Sequence, residues 1–248
     1  MKLPARLEIA RRYCGPPKSA NGGYACGRLA AFIEGDAEVT LRSPPPLDKP
    51  MQAVTDDGGV ALYDGDKLIG SAKPCEITVD IPPAPAFDEA HAAEQRTIPA
   101  ARHNLPTCFV CGPQREPGDG LRIHVGPLHP DTSGWSGPLA ATWIPRPDLA
   151  DTSGLVRPEF VWAALDCPTG YAAGFSDGNV FLLLGRQSVA IYRRPRAGEK
   201  CIVLAQEVRR DGRKHHADGV LYGEDGQAIA VCKAVWIAVD PAVMRGEA

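Results

Sequence analysis

Eight cysteines are scattered along this chain, and two of them, Cys108 and Cys111, form a CxxC pair. Thiols at that spacing can share a metal ion or oxidise to a disulfide. Zinc asks for about four ligands, however. No second CxxC or HxxxH is present, and only His103 and His124 flank the pair. The spacing therefore favours packing thiols, with a metal site that also uses His103 and His124 as the lesser alternative; no metal or redox cofactor is expected. Cys14, Cys26, Cys75, Cys167, Cys201 and Cys232 read the same way, as small buried apolar residues rather than a disulfide framework. Other reactive patterns fail on context. Gly134-Trp135-Ser136-Gly137 is one residue short of GxSxG. Asp211 and His216 straddle a hairpin, where Asp-Gly is ordinary turn chemistry. Neither GxxxxGK[ST] nor GxGxxG occurs.

Composition narrows the classes further. A formal net charge of −3, with no run interleaving basic and aromatic residues, argues against nucleic-acid partners. No apolar run approaches the roughly 18 residues of a membrane span. The opening MKLPARLEIARRYCG is broken by charge throughout, unlike a signal peptide. The expectation is a soluble, cytoplasmic protein with no membrane partner.

A length of 248 residues lies between one domain and two. Pro82–Pro106 (PPAPAFDEAHAAEQRTIPAARHNLP) reads as a connection with a helical turn near Phe87–Gln95. It divides the chain into 1–82, a linker 83–104, a second unit 105–240 and a tail 241–248. In the second unit, Gly120–Val125 and Leu139–Ile144 alternate like strands. Pro158–Gly174 predicts a helix entered at Pro158 and kinked or ended by Pro168, which cannot bond the carbonyl of Ala164. Val180–Arg193, Cys201–Arg209, His215–Tyr222 and Gln227–Val239 follow as hairpin strands. The first unit offers the same order in shorter form: a strand at Arg6–Tyr13, a helix at Ala20–Ile33, then strands from Glu38 to Val79. VTLRSPPPLDKP echoes VAIYRRPRAGEK, and LYDGDKLIGSAK echoes LYGEDGQAIAVCK. One helix and an antiparallel meander, given twice, is an α+β pattern.

With CFVCG (Cys108–Gly112) leading to GDGL, the helix VWAALDCPTGYAA, RRPRAGE, and NGGY with VTLRSPPP in the first unit, the chain resembles the hotdog-fold acyl-CoA thioesterases. The likeness covers most of both units and leaves out the linker and Asp148–Val156. It implies a double hotdog: two antiparallel sheets, each wrapped around a central helix and paired about a pseudo-twofold axis. It also implies hydrolysis of an acyl-CoA thioester, in which a carboxylate activates water and helix N-terminal amides polarise the carbonyl.

Asp166 falls where that family carries its acid. Arg157-Pro158-Glu159 stands where His-Gly-Gly is usual, and Pro158 has no N–H. Conversely Asn21-Gly22-Gly23 keeps the donor turn, while Ala30 occupies the acid's position. The family's paired geometry implies one competent site, with Asp166 facing Gly22 and Gly23, and one dead site at Pro158 and Ala30. Weighing equally with catalysis is a plainer reading, in which Asp166 is solvated or caps the amides of Thr169 or Gly170. Substrate-binding candidates are Asn21, Tyr24, Gln187 and Ser188, with Arg193, Arg194 and Arg196 for the phosphates of coenzyme A. Tyr24, Phe160, Trp162 and Tyr171 are candidate linings of an acyl tunnel between the helices. The alternative is a non-catalytic hotdog that binds acyl-CoA or another apolar ligand, or serves assembly. By analogy, the double unit is expected to pair into a homodimer.

Overall fold

The computed structural model describes residues 5–129, 135, 137–175 and 181–240. The expected tail, Val180, and Gly134 and Ser136 of the GWSG motif lie outside them.

Alternation along the chain is what makes the sheet. Strand β3 (Met51–Asp56) buries Met51 and Ala53 while Gln52 and Val54 face out. The first unit contributes β1 (Ala5–Leu7), β2 (Ala37–Leu41), β3, β4 (Gly59–Asp64) and β5 (Lys67–Pro74). The second contributes β6 (Gly126–Pro127), β7 (Leu139–Trp143), β8 (Phe181–Ile191), β9 (Cys201–Asp211), β10 (Lys214–Tyr222) and β11 (Ala228–Val239). The tight turns fall on Asp-Gly pairs, with Gly65 and Gly212 at φ 58° and 56°.

Where two separate sheets are expected, one antiparallel sheet of 11 strands forms, ordered β1-β3-β4-β5-β2-β8-β11-β10-β9-β7-β6. The seam is β2 against β8, from Ala37 opposite Val189 to Thr40 opposite Arg186. Both strands would otherwise be edges with unpaired backbone groups, and pairing them satisfies both.

Two helical segments pack inside this sheet. Helix α1 (Gly22–Ala30) meets α3 (Pro158–Ala164) along glycines spaced by four. A Cβ on Gly23 would lie 2.5 Å from Asp166 Cβ, and one on Gly27 would lie 2.6 Å from Glu159 Cα. Only hydrogen at these positions permits such an approach. As expected from Pro168, the second helix breaks: α3 ends at Ala164, and α4 (Asp166–Gly170) restarts after Leu165. A π-helical turn, Tyr171–Phe175, follows.

Three local expectations change. Gly120–Val125 is not a strand. Its alternation is real, since Leu121, Ile123 and Val125 are buried, but Arg122 adopts φ 55° and interrupts the extended run. The segment instead lies along CFVCG, with Leu121 N–H on Phe109 O and Ile123 N–H on Val110 O. Arg6–Tyr13 divides into β1 and a 3-10 turn at Arg11–Tyr13. In 83–104 the expected helix forms as α2 (Phe87–Glu94), but the segment is packed rather than a bare connection, burying Ala90 and Ala93 with Ala140, Ile202 and Leu204. Glu94 fastens it by accepting the Thr142 N–H at 2.6 Å.

Candidate functional site

The helix break decides where Asp166 goes. As the first residue of α4 it turns inward and is only 2% exposed, so it is neither solvated nor a cap for its own helix. Asn21 fixes it from the other unit. The Asn21 Oδ1 accepts the Tyr24 N–H at 2.9 Å, capping α1, which leaves Nδ2 to donate to Asp166 Oδ2 at 2.6 Å. Gly23 packs directly against Asp166, and its amide adds a favourable interaction with the charged carboxylate. Burial first, and then the nearby Cys108 sulfur in its ionised form, push the Asp166 carboxyl up to about 7, against the Gly23 amide and Asn21, which favour its charge. Asp166 Oδ1 is buried without a partner.

Asp166, Asn21 and Gly22 share the wall of an apolar cavity of about 220 Å³ with Tyr171, Leu184 and Trp236. Gly23 does not line that wall. Gly22 is thus the donor turn's surface toward the cavity. Its place is tight, since an added Cβ would meet Leu184 Cδ2 at 2.9 Å. Trp236 is itself fixed, its indole N–H donating to Thr169 Oγ1 at 3.1 Å. Arg42, exposed in the VTLRSPPP stretch, lies at the cavity rim.

Beside Asp166 lies a cluster that spacing did not reveal. The Sγ atoms of Cys108, Cys111 and Cys167 all fall within 4.8 Å of one another, fully buried. Cys108 and Cys167 are 3.6 Å apart. All three line the cavity. Cys108 receives the backbone N–H groups of Val110 and Cys111, and hydrogen bonds from Cys111 and Cys167 hold its thiol well below the ordinary range. The third cysteine arrives from α4, fifty-nine residues away along the chain. His103 and His124 are not in the cluster. His103 Nδ1 accepts the Leu105 N–H at 3.1 Å, and its Nε2 meets the Tyr171 hydroxyl at 2.6 Å.

The remaining sequence candidates fall elsewhere. Tyr24 stacks on Tyr13 at 4.1 Å, and with Phe109 and Phe160 forms an aromatic core beside the helices. Trp162 is buried and its carbonyl accepts the Gln187 amide at 3.1 Å. Of the four aromatic residues proposed as tunnel lining, only Tyr171 reaches the cavity. Neither Gln187 nor Ser188 lines it; both are buried on β8, Ser188 between Glu38 and Lys233 in the sheet. Arg193 is paired with Glu199 at 2.7 Å and Asp225 at 3.4 Å, and Arg194 with Asp151 at 2.6 Å. Arg196 is exposed at the same turn, away from the cavity wall. At the start of α3, Arg157 gives no side-chain cap and instead lies over the Phe160 ring at 4.7 Å.

No protein-family model and no curated protein matches the chain. Solved structures match over nearly its full length. An acyl-CoA thioesterase II from Mycobacterium marinum aligns over 96% of this chain and 93% of its own, with TM-score 0.59 and 11% identity. A conserved protein of unknown function with a hot dog fold, from Alicyclobacillus acidocaldarius, covers 95% and 93%, with TM-score 0.59 and 13% identity. The tesB protein of Mycobacterium avium subs. paratuberculosis covers 89% and 88%, with TM-score 0.57 and 14% identity. At such identities the likeness is one of fold. The chain has the α+β architecture of the double-hotdog thioesterase II structures.

Proposed function

We propose that this protein hydrolyses an acyl-CoA thioester, with Asp166 activating water and the Gly22 amide polarising the thioester carbonyl. One observation carries the reading: a buried carboxylate from one unit is gripped by the Asn21–Gly23 turn of the other, at the wall of an apolar cavity, with Oδ1 left bare. That oxygen is the natural acceptor for a water proton, since Oδ2 is already bonded by Asn21. The helix α1 N-terminus adds unpaired N–H groups and a favourable dipole for the developing oxyanion. Gly23 serves as a positioning residue that orients the acid, and Asn21 does the same. Arg42 at the rim is the cation best set for the coenzyme A phosphates, a role for which the turn arginines are less suited, two of them being paired.

The shared fold with acyl-CoA thioesterase II structures supports the reading at the level of architecture. The test is turnover of a panel of acyl-CoA esters, followed by chromatography of released coenzyme A, because eight free cysteines would compete in thiol-dye assays. Wild type should release coenzyme A, and Asp166→Asn should lose at least about 100-fold. Equal rates would remove Asp166 from the chemistry. Saturable binding with no turnover by wild type would favour the ligand-binding alternative, to which the Pro158 entry of α3, with no N–H at its first residue, also points.

A further inference from the structure

We infer that Cys108, Cys111 and Cys167 form a binding site for a soft divalent cation of the zinc class, with three thiolate ligands and a fourth position open to the cavity. The inference stands apart from the hydrolysis reading, since it concerns what the sulfurs hold rather than what Asp166 does.

Geometry is the first ground. Thiolates on a tetrahedral zinc, at about 2.3 Å each, sit slightly under 4 Å from one another. The 3.6 Å between Cys108 and Cys167 matches this, and with the third sulfur within 4.8 Å the set closes around one ion by small side-chain rotations. Two of the ligands come from a CxxCG turn whose geometry is already that of a metal-binding knuckle. The Gly112 N–H bonds the Cys108 carbonyl at 2.9 Å, and a Cβ on Gly112 would lie 2.5 Å from that oxygen. The amides of Val110 and Cys111 are directed at the Cys108 sulfur.

The second ground is the set of donors that surround the cluster. Asn21 Nδ2 lies 3.8 Å from Cys108 Sγ and 3.9 Å from Cys167 Sγ. Because His103 Nδ1 accepts the Leu105 N–H, its neutral ring carries the proton on Nε2 and donates it to the Tyr171 oxygen. Tyr171 is then free to turn its own proton toward Cys111, which lines the same cavity wall. Outer hydrogen bonds of this kind orient metal ligands and support their negative charge. Binding releases the thiol protons to solvent and neutralises most of the resulting charge. Among the described residues no fourth His, Cys, Asp or Glu joins the three sulfurs, and all three line the cavity, so the fourth ligand is water or a solute.

The test uses the full chain, purified under reducing, oxygen-free conditions and loaded with zinc or cobalt(II) after chelation. One ion per chain is expected, with a cobalt–thiolate charge-transfer band that Cys108→Ser, Cys111→Ser and Cys167→Ser each weaken. Each should lower affinity by more than about 100-fold, and Tyr171→Phe by about 10-fold. Cys26→Ser and Cys232→Ser, buried elsewhere, should change neither. Should a cluster variant fail to fold, alkylation of the wild type decides: zinc should protect Cys108, Cys111 and Cys167 together. Identical alkylation with and without zinc, or binding of copper(I) alone, overturns the site. A small thiol such as 2-mercaptoethanol should shift the visible cobalt bands; an unmoved spectrum overturns the open fourth position.

Discussion

Asn21 does two things with one side chain, and the two can be separated. Its oxygen caps α1 and its amide nitrogen holds Asp166. Asn21→Ser keeps a capping oxygen but cannot reach the carboxylate. Urea unfolding should therefore leave Asn21→Ser more stable than Asn21→Ala, while kcat falls about 10-fold as the acid loses its orientation. Asn21→Ala should lose activity similarly and also about 1 kcal/mol of stability. Equal urea midpoints for the two variants would deny the cap. Asp166→Asn is a clean companion because an amide can turn its oxygen toward Asn21 and Gly23, so the fold should persist by circular dichroism while turnover disappears. Arg42→Ala should raise KM for acyl-CoA about fivefold, near 1 kcal/mol, at unchanged kcat. Arg193→Ala, whose partners are Glu199 and Asp225, should leave KM alone.

At the scale of elements, the approach of α1 to α3 depends on glycine. Gly27 stands one turn beyond Gly23 and away from the acid, against the Glu159 backbone. Gly27→Ala should destabilise the protein by about 1–3 kcal/mol through overpacking, measured by urea unfolding, because backbone cannot move aside as a flexible side chain can. Gly23→Ala adds a direct clash with Asp166 and should lose activity as well. An unchanged midpoint for Gly27→Ala would mean that the helices sit farther apart. The existence of both helices and of Pro168's break was legible in the sequence, as were the meander strands, because periodicity and proline are local signals. The left-handed Arg122 and the packing of α2 on the outer sheet face were not, because each answers to a neighbour distant in sequence.

Across the whole molecule, the β2–β8 seam and the α1–α3 contact join the two units into one sheet and one core. Unfolding should consequently be a single transition. The four tryptophans, Trp135, Trp143, Trp162 and Trp236, all lie in the second unit, so their fluorescence follows that unit while far-ultraviolet circular dichroism follows both. The two should give one urea midpoint. A separate early loss of circular dichroism would show that the first unit melts alone. No helix among the described residues is long and apolar enough to cross a membrane.

By itself the sequence carried the family likeness, and it led to the expectation of two units and of complementary halves of a candidate site, Asp166 in one and Asn21-Gly22-Gly23 in the other. These are carried by residue type and short spacing. Tertiary structure decided that Asn21 holds the acid and Gly23 packs against it while Gly22 faces the cavity, that Tyr24, Gln187 and the turn arginines stand away from it, and that Arg42 stands at its rim. It also decided that Cys167 completes the CxxC pair. Such outcomes depend on which side chains meet after the chain has closed, and a sequence separation of 59 residues between Cys108 and Cys167 carries no trace of a 3.6 Å contact.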